Sequence, residues 1–406
     1  MKGKLHLDNL IHEWGGYRFG NRRITVFDTT LRDGLQSAQI KRLPQISEKI
    51  AFLSACYELG IDAVEIGFPI ASVSHRKDVI ALAKHAKNNK YPMLLSCLSR
   101  TIASDVEAIV DVSQKAGTEV TVNLLVGSSK IRHFVENWTL EEIKKWVENC
   151  ISIAHTNNLP VEFVTEDTTR SDGETLEFLY SIAINKGVKR IWIADTVGEA
   201  TPAASKNITT FFKKKIIGRK KIGLDWHGHD DKGLGVASAL AALEAGADRI
   251  QATALGIGER AGNTAMEQII INLQLAHAGH YNLKKLSHYS RLASEMFGIP
   301  IRDNYPGIGA LVHATAAGMH AAAITKARKL QRKDLEGVIY SPFHPEMFGR
   351  DTEILIGPMS GSANVEWNLE KLGFKKNKTI IEKILTLAKS ENRFISIEEI
   401  KERFKK

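Results

Sequence analysis

The chain has 406 residues, 43% of them hydrophobic, 25% charged and 7% aromatic, with a formal net charge of +9. That is ordinary globular composition, and no apolar run approaches the ~20 residues that cross a bilayer. The basic runs Lys213-Lys214-Lys215, Arg219-Lys220-Lys221 and 326–333 lack interleaved stacking aromatics, so we expect a solvated basic surface and no nucleic-acid partner.

In chain order, residues 1–22 read as an N-terminal extension. It lacks the apolar core of an export signal, so a cytoplasmic location is expected. Eight short β-rich runs follow, each trailed by a helical pattern: 24–27, 63–67, 93–96, 120–125, 161–164, 190–194, 222–226 and 249–254. Alternating strand and helix implies a parallel α/β sheet, and eight such units imply a closed (β/α)8 TIM barrel. A doubly wound sheet would carry a Gly-rich turn after its first strand; here that place holds Asp28-Thr29-Thr30-Leu31-Arg32-Asp33-Gly34. The barrel is expected over 23–281, closing after a helix at 264–278. A smaller, mainly helical C-terminal region should follow, with a linker and first subdomain at 282–366 and two helices in a second subdomain at 367–406. An Ala-rich helix is expected at 314–327. Cys56, Cys97 and Cys150 show no paired spacing and read as buried thiols, not disulfides.

In such a barrel, chemistry sits at the C-terminal ends of the strands. Polar residues cluster there. Arg32 and Asp33 follow the first strand, Glu166 and Asp167 the fifth, Asp195 and Thr196 the sixth. His227 and His229 end the seventh, and Gly256-Ile257-Gly258-Glu259-Arg260-Ala261-Gly262-Asn263 follows the eighth. Residues i and i+2 of a strand share a face, so His227 and His229 aim two imidazoles into one space, the start of a metal site. Asp33 from another strand end adds a carboxylate, and Asn263 adds a carbonyl oxygen. This mixed N/O set suits Mg²⁺, Mn²⁺ or Zn²⁺ without choosing among them. Arg32 reads either as a guanidinium that stabilises an oxyanion or as a salt bridge closing the barrel mouth. The loop with Gly256 and Gly258 reads either as a phosphate-binding turn, suited to a coenzyme A thioester, or as a tight turn needing positive φ. Glu259 in this loop is a further catalytic candidate. The polar segment 166–172 either positions substrate or caps a helix.

The motifs D-T-T-L-R-D-G-x-Q, H-x-H-x-D and G-I-G-E-R-A-G-N-T resemble those of the DRE-TIM metallolyases. The branch they resemble is the Claisen-condensing one, the 2-isopropylmalate, homocitrate and citramalate synthases, and the likeness runs from about residue 23 to 365. The resemblance implies a divalent metal on Asp33, His227, His229 and Asn263. It also implies a 2-keto acid chelating that metal, Arg32 stabilising the developing alkoxide, and Gln36 and Thr196 holding the keto acid. Acetyl-CoA would be the second substrate. Ala317-Gly318-Met319-His320 and Tyr340 resemble segments that these synthases present to a neighbouring subunit. They imply that His320 and Tyr340 assist proton transfer in a homodimer with swapped C-terminal regions. The chain departs from isopropylmalate synthases at His320-Ala321-Ala322-Ala323, which is closer to homocitrate synthases. It also stops where many isopropylmalate synthases begin a regulatory domain, so feedback inhibition through such a domain is not expected. Where homocitrate synthases carry Arg-Phe-Ser on the fifth strand, this chain has Glu162-Phe163-Val164. Glu162 in the substrate site would repel a second carboxylate, so an apolar keto acid such as 2-oxoisovalerate is expected, as in leucine biosynthesis. The alternatives are a homocitrate or citramalate synthase, or a lyase of the hydroxymethylglutaryl-CoA type. The lyase reading looks for a cysteine in the loop after the eighth strand, and 256–263 has none.

Overall fold

The computed structural model describes residues 16–20, 22–375 and 377–404; most of the expected N-terminal extension therefore lies outside the described residues. Eight strands form a closed barrel in sequential order: β1 (Thr25–Asp28), β2 (Ala63–Glu65), β3 (Leu94–Arg100), β4 (Thr121–Gly127), β5 (Val161–Glu166), β6 (Arg190–Asp195), β7 (Gly223–Gly228) and β8 (Arg249–Ala252). All pairings are parallel, and β1 closes on β8 with Asp28 opposite Ala252. The strands are buried almost throughout, as expected where helices cover one face and side chains fill the other.

The helices begin where local chemistry starts them. Ser72 caps Val73–Asn88 by accepting from the His75 amide, and Thr139 forms a capping box with Glu142 at the start of Leu140–Thr156. Thr201 caps Pro202–Phe211, whose proline occupies the first turn, where no amide donor is needed. The first barrel helix, Ile46–Leu59, stops at Gly60 with φ of 93°. The lysine-rich stretch after Pro202–Phe211 forms a π-helical turn, Phe212–Ile217, ahead of β7. Lys214, Lys215, Arg219, Lys220 and Lys221 are exposed there, on the face opposite the strand C-termini. All three cysteines are free and buried. No helix among the described residues is long and apolar enough to cross a membrane.

The chain divides into two compact units, Met1–Pro300 and Ile301–Lys406. This moves the expected boundary at 281. Helix Leu286–Phe297 belongs with the barrel because its apolar face is buried there: Tyr289 and Phe297 are fully buried, and Tyr289 donates to the Asp28 carboxylate at the end of β1. The second unit is mainly helical. Its two-residue strands Ala314–Thr315 and Glu353–Ile354 pair in parallel, and the Ala-rich helix runs Gly318–Lys329. The expected division at 366 falls inside helix Ser362–Lys371. Val365 and Leu369 of that helix share one core with Ile356, Ile384, Ala388, Ile395 and Ile400, so no core boundary separates two subdomains at that point.

Candidate metal centre and substrate pocket

Strand β1 delivers Asp33 through a tight turn. The Asp33 amide donates to the Thr29 carbonyl at 2.8 Å, and the Thr30 amide donates to the Asp28 carboxylate at 2.8 Å. Strand β7 delivers His227 and His229, whose rings stand 5.3 Å apart and nearly perpendicular. The loop after β8 folds back onto β7: the Asp230 amide donates to Gly262, and Asn263 bridges to His229. Three chain-distant segments thus converge. Ligand atoms of Asp33, His227 and His229 lie within 4.8 Å of one another, and all three residues are buried.

The donor set fits a divalent cation. Asn263 donates its amide to Asp33 at 3.0 Å, while its own Oδ1 is buried with no hydrogen-bond partner, as is Nδ1 of His229. Burial lowers the His227 ring to about 3, with His229 and Arg32 adding to the shift and Asp33 opposing it. Burial likewise lowers the His229 ring. Both imidazoles are therefore neutral, the form that ligates metals. Burial alone would raise the Asp33 carboxyl, but Arg32, His227, His229 and the Asn263 amide outweigh it and hold it well below the usual carboxylate range.

Arg32 is fixed from two sides. Its Nε donates to Glu65 at 2.5 Å and its Nη1 to Asp33 at 2.7 Å, with Gln36 at 3.4 Å. Glu65 ends β2, is fully buried and also accepts from Asn123 at 2.7 Å. Sequence reasoning missed Glu65, although an acid at the C-terminal end of a barrel strand was a legible signal. Arg32 is salt-bridged to Glu65 and Asp33, and it also borders the pocket.

That pocket, of about 290 Å³, is lined by Arg32, Asp33, Gln36, Thr196, His227, His229 and Glu259 on its polar side. Glu166 and Arg260 complete that side, and Arg260 pairs with Asp231 at 2.8 Å. Leu98, Leu125, Val164, Trp192 and Ala194 supply the pocket's apolar lining. In segment 166–172, Asp172 caps helix Gly173–Asn185, as one of the two expectations had it, and Glu166 lines the pocket.

Three expected substrate residues are placed elsewhere. Glu162 does not line the pocket. Its carboxylate is buried toward the N-terminal ends of the strands, accepting from Trp192 at 2.8 Å and from Arg249. Its charge is already paired, so the expected repulsion of a second substrate carboxylate does not arise from it. Gly256 and Gly258 do not line the pocket either. Gly256 has φ of 66°, and a Cβ on Gly258 would stand 2.0 Å from Nδ2 of Asn263. The loop needs glycine for its turn and for close approach to Asn263.

His320 and Tyr340 lie in the second unit and are brought together there. Their rings stack with centroids 3.8 Å apart, and the His320 Nδ1 is 3.2 Å from the Thr315 hydroxyl. Tyr340 is half exposed.

Comparison with known proteins settles the kinship. The HMGL-like family model matches residues 23–293. The chain belongs to the HMGL-like family. Over 90% of its length it is 33% identical to a homocitrate synthase AksA of Methanopyrus kandleri, covering 87% of that protein. Over 89% it is 30% identical to a 2-isopropylmalate synthase of Pyrococcus abyssi, covering 73% of it. Among solved structures, the HMG-CoA lyase of Bacillus subtilis is 21% identical with a TM-score of 0.59, over 71% of this chain and 97% of that one. That last likeness concerns the fold.

Proposed function

We propose that this member of the HMGL-like family is a Claisen-condensing acyltransferase. It would join acetyl-CoA to a 2-keto acid with hydrolysis of the thioester, in the manner of 2-isopropylmalate synthase acting on 2-oxoisovalerate in leucine biosynthesis. The observation that carries the reading is the pocket's lining: the Asp33–His227–His229 cluster and Arg32 share it with an apolar group, Leu125, Val164, Trp192 and Ala194. Its relatives are synthases named for both 2-isopropylmalate and homocitrate, which supports the reaction class more firmly than the substrate.

Asp33, His227, His229 and the Asn263 carbonyl would hold a divalent cation, Mg²⁺, Mn²⁺ or Zn²⁺. When bound, such a cation supplies Lewis acidity toward the carboxylate and keto oxygens of the substrate. Gln36 and Thr196 border the keto acid and orient it by hydrogen bonds. Arg32, already fixed by Glu65, places positive charge where the keto oxygen gains an electron pair as the new carbon–carbon bond forms. A base must first take a proton from the acetyl methyl. Glu259 at the pocket, and the stacked His320–Tyr340 pair, are our candidates for that transfer. We propose further that the pair acts at the partner copy's pocket in a homodimer. Water then cleaves the thioester and releases CoA.

A homocitrate synthase remains the second reading, favoured by His320-Ala321-Ala322-Ala323 and by the 33% relative. Release of free CoA from acetyl-CoA, measured with 2-oxoisovalerate, pyruvate, 2-oxoglutarate and longer aliphatic keto acids, with and without chelator, decides between them. Chelator-sensitive turnover favouring 2-oxoisovalerate supports the proposal. Preference for pyruvate points to citramalate synthase and preference for 2-oxoglutarate to homocitrate synthase. No CoA release with any acid would return the lyase reading.

A further inference from the structure

We propose that Glu162 is a positioning residue: by fixing the indole of Trp192 it sets the depth of the pocket and restricts the substrate to 2-keto acids with a short apolar side chain. The inference rests on the reading of the pocket as a keto-acid site.

Strand register aligns Leu125, Val164 and Trp192 on the neighbouring strands β4, β5 and β6, and all three line the pocket. Ala194, two residues further along β6, is in register with the ligand His227. Glu162 shares the face of Val164 but lies two residues toward the start of β5, about 7 Å deeper. Its Oε2 accepts from Nε1 of Trp192 at 2.8 Å and also from Arg249. Arg249 is held in turn by Asp225, Nε to Oδ2 at 2.6 Å, and Asp225 accepts from Arg190 at 2.7 Å.

The indole also has an aromatic neighbour. Phe27 meets Trp192 edge to face at 5.6 Å, and the Arg249 guanidinium lies 4.6 Å from the Phe27 ring. Turning the indole away would leave a buried N–H without its acceptor. Trp192 therefore has one orientation, imposed by an ionic layer that the substrate never touches. The consequence for selectivity differs from charge repulsion. A dicarboxylic keto acid would set its second carboxylate against Leu125, Val164 and Trp192, and Arg249 behind that wall is already engaged by Glu162 and Asp225. A long aliphatic chain would meet the indole.

The test compares wild type with Trp192→Leu, Trp192→Phe, Glu162→Leu and Glu162→Gln. Two quantities are read: the kcat/KM ratio of 2-oxooctanoate to 2-oxoisovalerate, and keto-acid affinity by calorimetry without acetyl-CoA. Trp192→Leu should raise the ratio about tenfold or more, the scale on which a pocket discriminates single methylenes. Glu162→Leu, which removes the acceptor, should move it in the same direction. Glu162→Gln keeps an acceptor oxygen and should hold the wild-type ratio, whereas Glu162→Leu keeps comparable bulk without the acceptor; a packing role alone would leave the ratio unmoved in both. Trp192→Phe keeps the core filled but cannot be held, and it must shift the ratio part-way even if Glu162→Leu fails to fold. An unmoved ratio in both Trp192 variants would overturn the inference, as would a folded Glu162→Leu with wild-type selectivity. If wild type releases no CoA yet binds short apolar keto acids best, and Trp192→Leu abolishes that preference, the synthase reading fails and this inference stands. Turnover confined to 2-oxoglutarate would sink both.

Discussion

Asn263 donates its amide to Asp33 at 3.0 Å and leaves its own carbonyl oxygen buried with no partner. A buried orphan acceptor costs about 1–3 kcal/mol, and a cation held with Asp33, His227 and His229 would offset that cost. Asn263→Ala should therefore weaken divalent-cation binding about tenfold or more, measured by chelator competition, while the metal-free protein keeps its thermal midpoint. Unchanged affinity would show that this oxygen is not a ligand.

The loop glycine nearest the centre makes a sharper test. A Cβ on Gly258 would stand 2.0 Å from Nδ2 of Asn263 and 3.2 Å from Oδ1 of Asp33. Gly258→Ala must displace the Asn263 side chain. We expect a loss of cation affinity at least as large as that of Asn263→Ala, with the barrel still folded by circular dichroism.

Arg32 is held by Glu65 and Asp33 through different nitrogens, a fork that lysine cannot reproduce. Arg32→Lys should lower kcat by about 10²–10³-fold, the usual loss on removing one stabiliser of a developing oxyanion. Glu65→Gln should lower it in the same direction by disorienting the guanidinium. Steady-state kinetics that show only a raised KM would assign Arg32 to substrate binding instead.

Burial pushes the Glu267 carboxyl up to about 7 from its ordinary 4.5, against hydrogen bonds from the Leu255 amide and Ser290. Between those values the folded protein holds a proton that the unfolded chain has lost. Stability must therefore fall as pH rises through that window, the reverse of a salt-bridged acid. Denaturant titrations at about pH 5 and pH 8 should show the loss, and Glu267→Gln should reduce it by on the order of 1–3 kcal/mol. A residual slope is expected from Asp28, which burial raises to about 6. An identical slope in the variant would mean that Glu267 is ionised throughout.

Much of the site was legible because its chemistry is local. His227 and His229 share a face through strand parity alone. Arg32, Asp33, Thr196, Glu259 and Asn263 each follow a strand end, where a (β/α)8 barrel gathers its polar residues. Gln36 lies one turn beyond Asp33 and joins the same pocket. Glu65 escaped the same rule because the run read as 63–67 puts it mid-strand, whereas the strand ends at Glu65.

What the amino-acid sequence determined by itself was therefore periodic and short-range: eight βα units, the pair of imidazoles, the acids and the arginine at the mouth. The tertiary structure decided the rest. The likeness to the Arg-Phe-Ser segment put Glu162 at the substrate but could not say how deep it lies, because depth depends on the register of neighbouring strands and on which cations arrive from β6 and β8. Arg249, 87 positions away, converts Glu162 from a substrate-facing charge into the support of Trp192. Helix Leu286–Phe297 joins the barrel for a similar reason, since Tyr289 reaches Asp28 across 261 positions. Contacts between residues so far apart in the chain leave no periodic trace, and only the packed fold brings them together.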